Sequence, residues 1–103
     1  MDVVKDKKII YLSGPMTGLP KNNYPAFREA EKILKRRGFV ILNPAHTIAN
    51  GSYADYLRRD IQMLLLADCV VALAGWKKSV GAKLEVDIAK KIGLEFVEFE
   101  KWV

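Results

Sequence analysis

Four short apolar runs, spaced by segments long enough to be helices, constrain this chain most. Lys8 to Leu12, Phe39 to Leu42, Cys69 to Leu73 and Leu94 to Phe99 each read as a buried strand. The intervening stretches carry helix signals. From Tyr24 to Arg37, Pro25 suits a first turn, Phe27, Ala30, Ile33 and Leu34 make an apolar stripe, and Gly38 is a stop. Ser52 with Asp55 three residues on resembles a capping box for a helix running to about Leu66. Ser79 can cap a helix from Val80 to Ile92, stopped by Gly93. Strands joined by such crossovers pair in parallel, because antiparallel neighbours use much shorter links.

Right-handed crossovers then give an α/β, three-layer, Rossmann- or flavodoxin-like fold with a short parallel sheet of four to five strands. A chain of 103 residues has room for one domain, spanning residues 1–103. No apolar run is long enough to span a membrane, and the charged N-terminus from Met1 to Lys8 lacks a signal peptide's apolar region. The single Cys69 cannot form an internal disulfide and reads as a buried, inert thiol, so a cytoplasmic protein is expected. The net charge of +5 favours anionic ligands, but the basic residues are interspersed with acidic ones and make no nucleic-acid arm.

In such sheets ligands bind beyond the carboxyl ends of the strands. Those ends carry Ser13-Gly14-Pro15-Met16-Thr17-Gly18, Asn43-Pro44 and the stretch from Gly75 to Gly81. Two carboxylates stand out beside them. At about 100° per residue, Lys83, Asp87, Lys90 and Lys91 share one side of the last helix. Glu85 projects from the apolar arc of Ala82, Leu84, Val86, Ile88, Ala89 and Ile92. On the preceding helix Asp60 lies among Tyr56, Leu57, Ile61, Met63 and Leu64, opposite Asp55, Arg58, Arg59 and Gln62. A carboxylate in an apolar stripe must be paired, protonated or working. Each could bind a neighbouring Lys, Arg or backbone donor; two on successive helices, both starting at the ligand edge, weigh toward function. Asp87 reads as solvated.

Other residues have two readings each. Ser79 and Gly81 either hold an anion at a helix N-terminus or simply cap it. Gly14 and Gly18 let a backbone approach a ligand, although no P-loop lysine signature is present. Tyr11 either reaches the ligand edge or fills the core. Trp76, Tyr24 and Phe27 could stack on a base, with Phe27 better explained as core. His46 has no Cys or His partner nearby in sequence, so a metal centre is not expected.

Ile10-Tyr11-Leu12-Ser13-Gly14-Pro15-Met16, Asp60 ahead of Ala67-Asp68, Gly75-Trp76, and Ser79-Val80-Gly81-Ala82-Lys83-Leu84-Glu85 resemble the nucleoside 2-deoxyribosyltransferase-like superfamily. The likeness is strongest to its short, largely uncharacterised branch common in phages and bacteria, and runs from Ile9 to Gly93. It implies that Glu85 is the nucleophile, that Tyr11 positions it, and that Asp60 contacts and helps protonate the departing base. Ser79 matches a serine that contacts the 5′-phosphate in the deoxynucleotide N-hydrolases, and the backbone of Gly14 to Gly18 falls beside sugar and phosphate. The chain departs from the longer transferases, whose C-terminal segment closes a neighbouring subunit's site.

The expected function is therefore cleavage or transfer at the N-glycosidic bond of a nucleoside or nucleotide, with hydrolysis favoured by Ser79 and the positive charge. The expected catalytic residues are Glu85, Asp60 and Tyr11. The expected substrate contacts are Ser13, Gly14, Pro15, Met16, Gly18, Asn43, Trp76, Ser79 and Gly81. No cofactor is needed for this chemistry, and no membrane or nucleic-acid partner is expected. A homodimer or larger assembly is expected, with Tyr53, Tyr56, Trp76 and Trp102 as candidate contacts. Three other readings stay open: a catalytically idle nucleotide-binding module, a glycohydrolase acting on a dinucleotide such as NAD, and a basic nucleic-acid-binding domain.

Overall fold

The computed structural model describes residues 8–46 and 51–103. The expectations for the N-terminal segment before Lys8 and for the His46 side chain lie outside the described residues. Along the chain run β1 (Ile9–Ser13), α1 (Tyr24–Arg36), β2 (Val40–Leu42), α2 (Tyr53–Leu64), β3 (Cys69–Ala72), α3 (Val80–Lys91), β4 (Glu95–Glu98) and α4 (Phe99–Trp102). Short 3-10 turns occupy Pro44–His46 and Trp76–Lys78, and a left-handed turn occupies Pro20–Asn23.

The strands form a four-stranded sheet in the order β2-β1-β3-β4, every neighbouring pair parallel. This is the α/β architecture that the strand–helix alternation implies. Side chains on β1 alternate between the sheet faces. Ile10 and Leu12 pack with Cys69, Val71 and Leu73 against Phe27, Ala30 and Leu34 of α1. Tyr11 and Val70 face the opposite way, toward Leu64 of α2 and Ala89 of α3. Among the described residues no helix is long and apolar enough to cross a membrane.

Helix starts follow the sequence signals closely. Ser52 and Asp55 make a reciprocal capping box at α2, and the Ser79 hydroxyl accepts the Ala82 amide at the start of α3. Ends move by a residue or two: α2 stops at Leu64 rather than Leu66, and β1 extends to Ser13. The chain after Glu98 differs more. Phe99, expected to end the last strand, instead opens α4, which brings Trp102 to 5.4 Å from the Phe39 ring. Cys69 is buried, and burial pushes its thiol up to about 11, as an inert core cysteine requires.

Candidate functional site

A cavity of about 790 Å³ opens beyond the carboxyl end of β1, within the range of small-molecule sites. One wall is the turn Gly14-Pro15-Met16-Thr17, continued by Asn22, Tyr24 and Pro44. The facing wall comes from Tyr53, Tyr56, Leu57 and Asp60 of α2, and from Lys78, Ser79, Val80, Gly81, Ala82 and Glu85 at the start of α3. The first wall is locally constrained. Lys21, Asn22 and Asn23 all take left-handed φ values of 53°, 53° and 61°, and Asn23 donates from Nδ2 to the Pro15 carbonyl at 2.9 Å. Asparagine tolerates this region; lysine does so less readily.

Glu85 reaches the cavity from the buried side of α3, only 5 % exposed. Its carboxylate meets two hydroxyls from β1. Tyr11 donates to Oε2 at 3.0 Å and Ser13 donates to Oε1 at 2.7 Å. Both hydroxyl residues are wholly buried. Burial pushes the Glu85 carboxyl up to about 7; repulsion from Asp60 adds to the rise, while the two hydroxyl bonds oppose it, Ser13 more than Tyr11. The same burial and the nearby Glu85 charge raise the Tyr11 phenol well above its ordinary value, so it stays a donor.

Asp60, half-buried on α2, is also held high, at about 6, chiefly by burial and partly offset by Arg59. Two carboxyl groups with raised values thus share one cavity. Such a pair can supply a proton and a negative charge near neutrality. Asp87 behaves differently: it is exposed and bridges to Lys91 at 2.9 Å.

At the start of α3 the Ser79 oxygen accepts from the Ala82 amide at 3.1 Å, which leaves its O–H available to a ligand. Gly81 is close to Tyr53: a Cβ there would lie 3.4 Å from the phenol oxygen. Gly14 answers to packing as well as to the cavity, because a Cβ would come 3.0 Å from the Leu73 Cβ.

Seven of the twelve expected catalytic and substrate-contact residues line the cavity: Gly14, Pro15, Met16, Asp60, Ser79, Gly81 and Glu85. Tyr11 and Ser13 stand behind it and touch Glu85 rather than open space. Three lie elsewhere. Asn43 is buried, donates to Glu31 Oε1 at 2.8 Å and accepts the Ala45 amide, so its side chain is occupied by the turn after β2. Trp76 donates to Glu98 at 3.1 Å and packs edge-on against Phe96, which fastens the turn before α3 to β4. Gly18 is exposed, with a φ of +84° that explains the glycine by the turn alone. Phe27 is core and Tyr24 is lining. Tyr53 and Tyr56, expected as exposed contacts, are exposed but also line the cavity. In the sequence Lys78 is only one member of the Gly75 to Gly81 stretch and Leu57 only an apolar neighbour of Asp60, while Asn22 carries no signal.

A solved 2-desoxiribosyltransferase from Leishmania mexicana superposes with a TM-score of 0.73 at 23% identity, over 88% of this chain. This chain spans 63% of that protein's length. The likeness shows a shared fold, the same one that the motif resemblance implies. No curated protein matches the chain in sequence. A family model covers residues 8–98, from the residue before β1 through the last strand, and by that match the chain belongs to the family described as Domain of unknown function (DUF4406).

Proposed function

We propose that this chain is a single catalytic domain that breaks the N-glycosidic bond of a nucleoside or nucleotide, with Glu85 as nucleophile and water as the favoured acceptor. One observation carries the reading: a buried carboxylate, held by two hydroxyls, forms part of the wall of a ligand-sized cavity beside a second raised carboxyl. A core does not gather such groups cheaply. The shared fold with a 2-desoxiribosyltransferase supports it further.

In the first step a Glu85 oxygen bonds to the anomeric carbon and the C–N bond breaks, its electron pair leaving with the base. Asp60 gives that base a proton; the reactive form, with Glu85 ionised and Asp60 protonated, is the minor of the two singly protonated forms, because Glu85 is held near 7 and Asp60 near 6. Water then attacks the anomeric carbon, the ester C–O pair returns to Glu85, and a water proton passes to Asp60. A 5′-phosphate fits the Lys78–Ser79 end of the cavity, where a cation, a free O–H and the amides of a helix start converge. A cytoplasmic setting suits such a substrate and the buried Cys69 thiol. A homodimer or larger assembly suits the exposed rim of Tyr53, Tyr56 and Val80.

The test is a chromatographic screen for free base from ribo- and deoxynucleosides, their 5′-monophosphates and NAD. Base release from at least one nucleoside or monophosphate, faster with the phosphate and slowed selectively by Ser79→Ala, is expected. Tight binding without base release would instead identify a binding module, and release of nicotinamide alone would point to a dinucleotide glycohydrolase.

A further inference from the structure

Ser13 is placed by the sequence among the substrate contacts, yet its side chain touches no open space. It is wholly buried and does not line the cavity. We infer that Ser13 is a positioning residue, which fixes one oxygen of the Glu85 carboxylate while Tyr11 fixes the other. The inference rests on the reading of Glu85 as the nucleophile.

The geometry is that of a two-point clamp. Tyr11 and Ser13 are two residues apart on β1, so their side chains leave the same face of the strand. That strand is paired on both sides, with Tyr11 opposite both Leu42 and Val70 and Ser13 opposite Ala72. The Ser13 carbonyl also accepts the Leu73 amide at 2.8 Å, so the donor's backbone is tied. From this support Ser13 donates to Oε1 at 2.7 Å and Tyr11 to Oε2 at 3.0 Å. A single donor would fix a carboxylate's position but let its plane pivot; two donors on different oxygens fix both.

Each step of the proposed reaction uses this arrangement. When one oxygen bonds to the anomeric carbon, the other becomes the ester carbonyl and still accepts a hydroxyl bond. When water displaces the ester, negative charge returns to both oxygens, each facing an O–H. The groups that act on Glu85 from neighbouring elements are Asp60 on α2, which repels it, and Tyr11 on β1, which donates to it. Lys78, Tyr24, Tyr53 and Tyr56 are the other titratable side chains lining the cavity. Ser13 gives the larger of the two hydroxyl contributions favouring the charged form.

The test compares wild type with Ser13→Ala and Ser13→Cys. The first removes the donor and the second keeps a weaker one at similar volume. The Glu85 carboxyl is titrated directly by carbon-13 NMR, without substrate. In Ser13→Ala its midpoint should rise by about one to two pH units, the scale of one charge-assisted hydrogen bond. Ser13→Cys should fall between the two. With the substrate found by the base-release screen, kcat should drop about tenfold or more. KM should stay within about twofold, because Ser13 does not reach the ligand. A folded Ser13→Ala whose Glu85 midpoint matches wild type overturns the inference, as does a Ser13→Cys midpoint at the wild-type value should the alanine variant fail to fold. If the midpoint shifts as expected but wild type releases no base from any substrate, the clamp stands and the nucleophile reading falls.

Discussion

Replacing Glu85 by glutamine keeps the side chain's volume and removes its charge. The carboxyl is displaced from 4.5 to about 7 on folding, and each pH unit corresponds to about 1.4 kcal/mol, so keeping it ionised costs the folded state about 3 kcal/mol above pH 7. The sign is that of a raised acid. Between these two values Glu85 binds more proton in the folded protein than in the unfolded chain, so this group's contribution to stability is fullest below 4.5 and declines as pH rises toward 7. The glutamine side chain cannot titrate, so the variant loses this decline. It brings a fixed cost instead: an amide offers one acceptor oxygen, so either Tyr11 or Ser13 must turn its proton away, at about 1 kcal/mol at every pH. The pH-dependent part is therefore the clean signature. In urea unfolding at pH 5 and pH 8, the stability of Glu85→Gln relative to wild type should improve by about 2–3 kcal/mol between the two pH values. Base release should meanwhile fall by orders of magnitude at both. A stability difference that is large, unfavourable and equal at the two pH values would mean that Glu85 anchors a structural contact, and retained base release would refute the catalytic reading outright.

The two raised carboxyls also set an expected pH profile. With Glu85 required ionised and Asp60 protonated, kcat/KM should follow a narrow bell between limbs near 6 and 7, values that belong to the pair because the two groups interact. Asp60→Asn should lower the rate and remove the alkaline limb; an unchanged bell would exclude Asp60 as the acid. Sedimentation velocity at micromolar concentration should show a dimer or larger species that Tyr53→Glu weakens, and a monomer throughout the range would remove the assembly reading.

Much of the fold was legible because its signals are local. The capping serines Ser52 and Ser79 fix where α2 and α3 begin, and the apolar runs fix the strands. Glu85 and Asp60 were legible for a related reason: helical periodicity shows a charge on the wrong side of a helix before any neighbour is known. The same rule applies to Glu31, four residues after Phe27 in the stripe of α1, and there it marks structure. Glu31 is buried, paired with Lys35 at 2.6 Å and bonded by Asn43, and it does not line the cavity. What separates the two glutamates is the partner: Lys35 is a local one, four residues on along the same helix, whereas partners brought together by folding leave no local trace. Glu98 holding Trp76 and Glu31 holding Asn43 are contacts of this kind. The Ser13 hydroxyl was visible as a polar end to a strand, but that it turns toward Glu85 rather than a ligand depends on the pleat and on where α3 lies.

The support of Glu85 by β1 divides the molecule by durability. Strands at the centre of a sheet open only with the whole fold, whereas exposed turns open locally and at little cost. Both donors to the carboxylate stand on an inner strand, while the walls that would contact a base or sugar belong in part to exposed loops and to the first turns of helices. Substitutions in those walls can therefore alter which ligand is admitted without loosening the carboxylate's mounting. A change of recognition in those walls need not disturb the pair of hydroxyl bonds that holds Glu85.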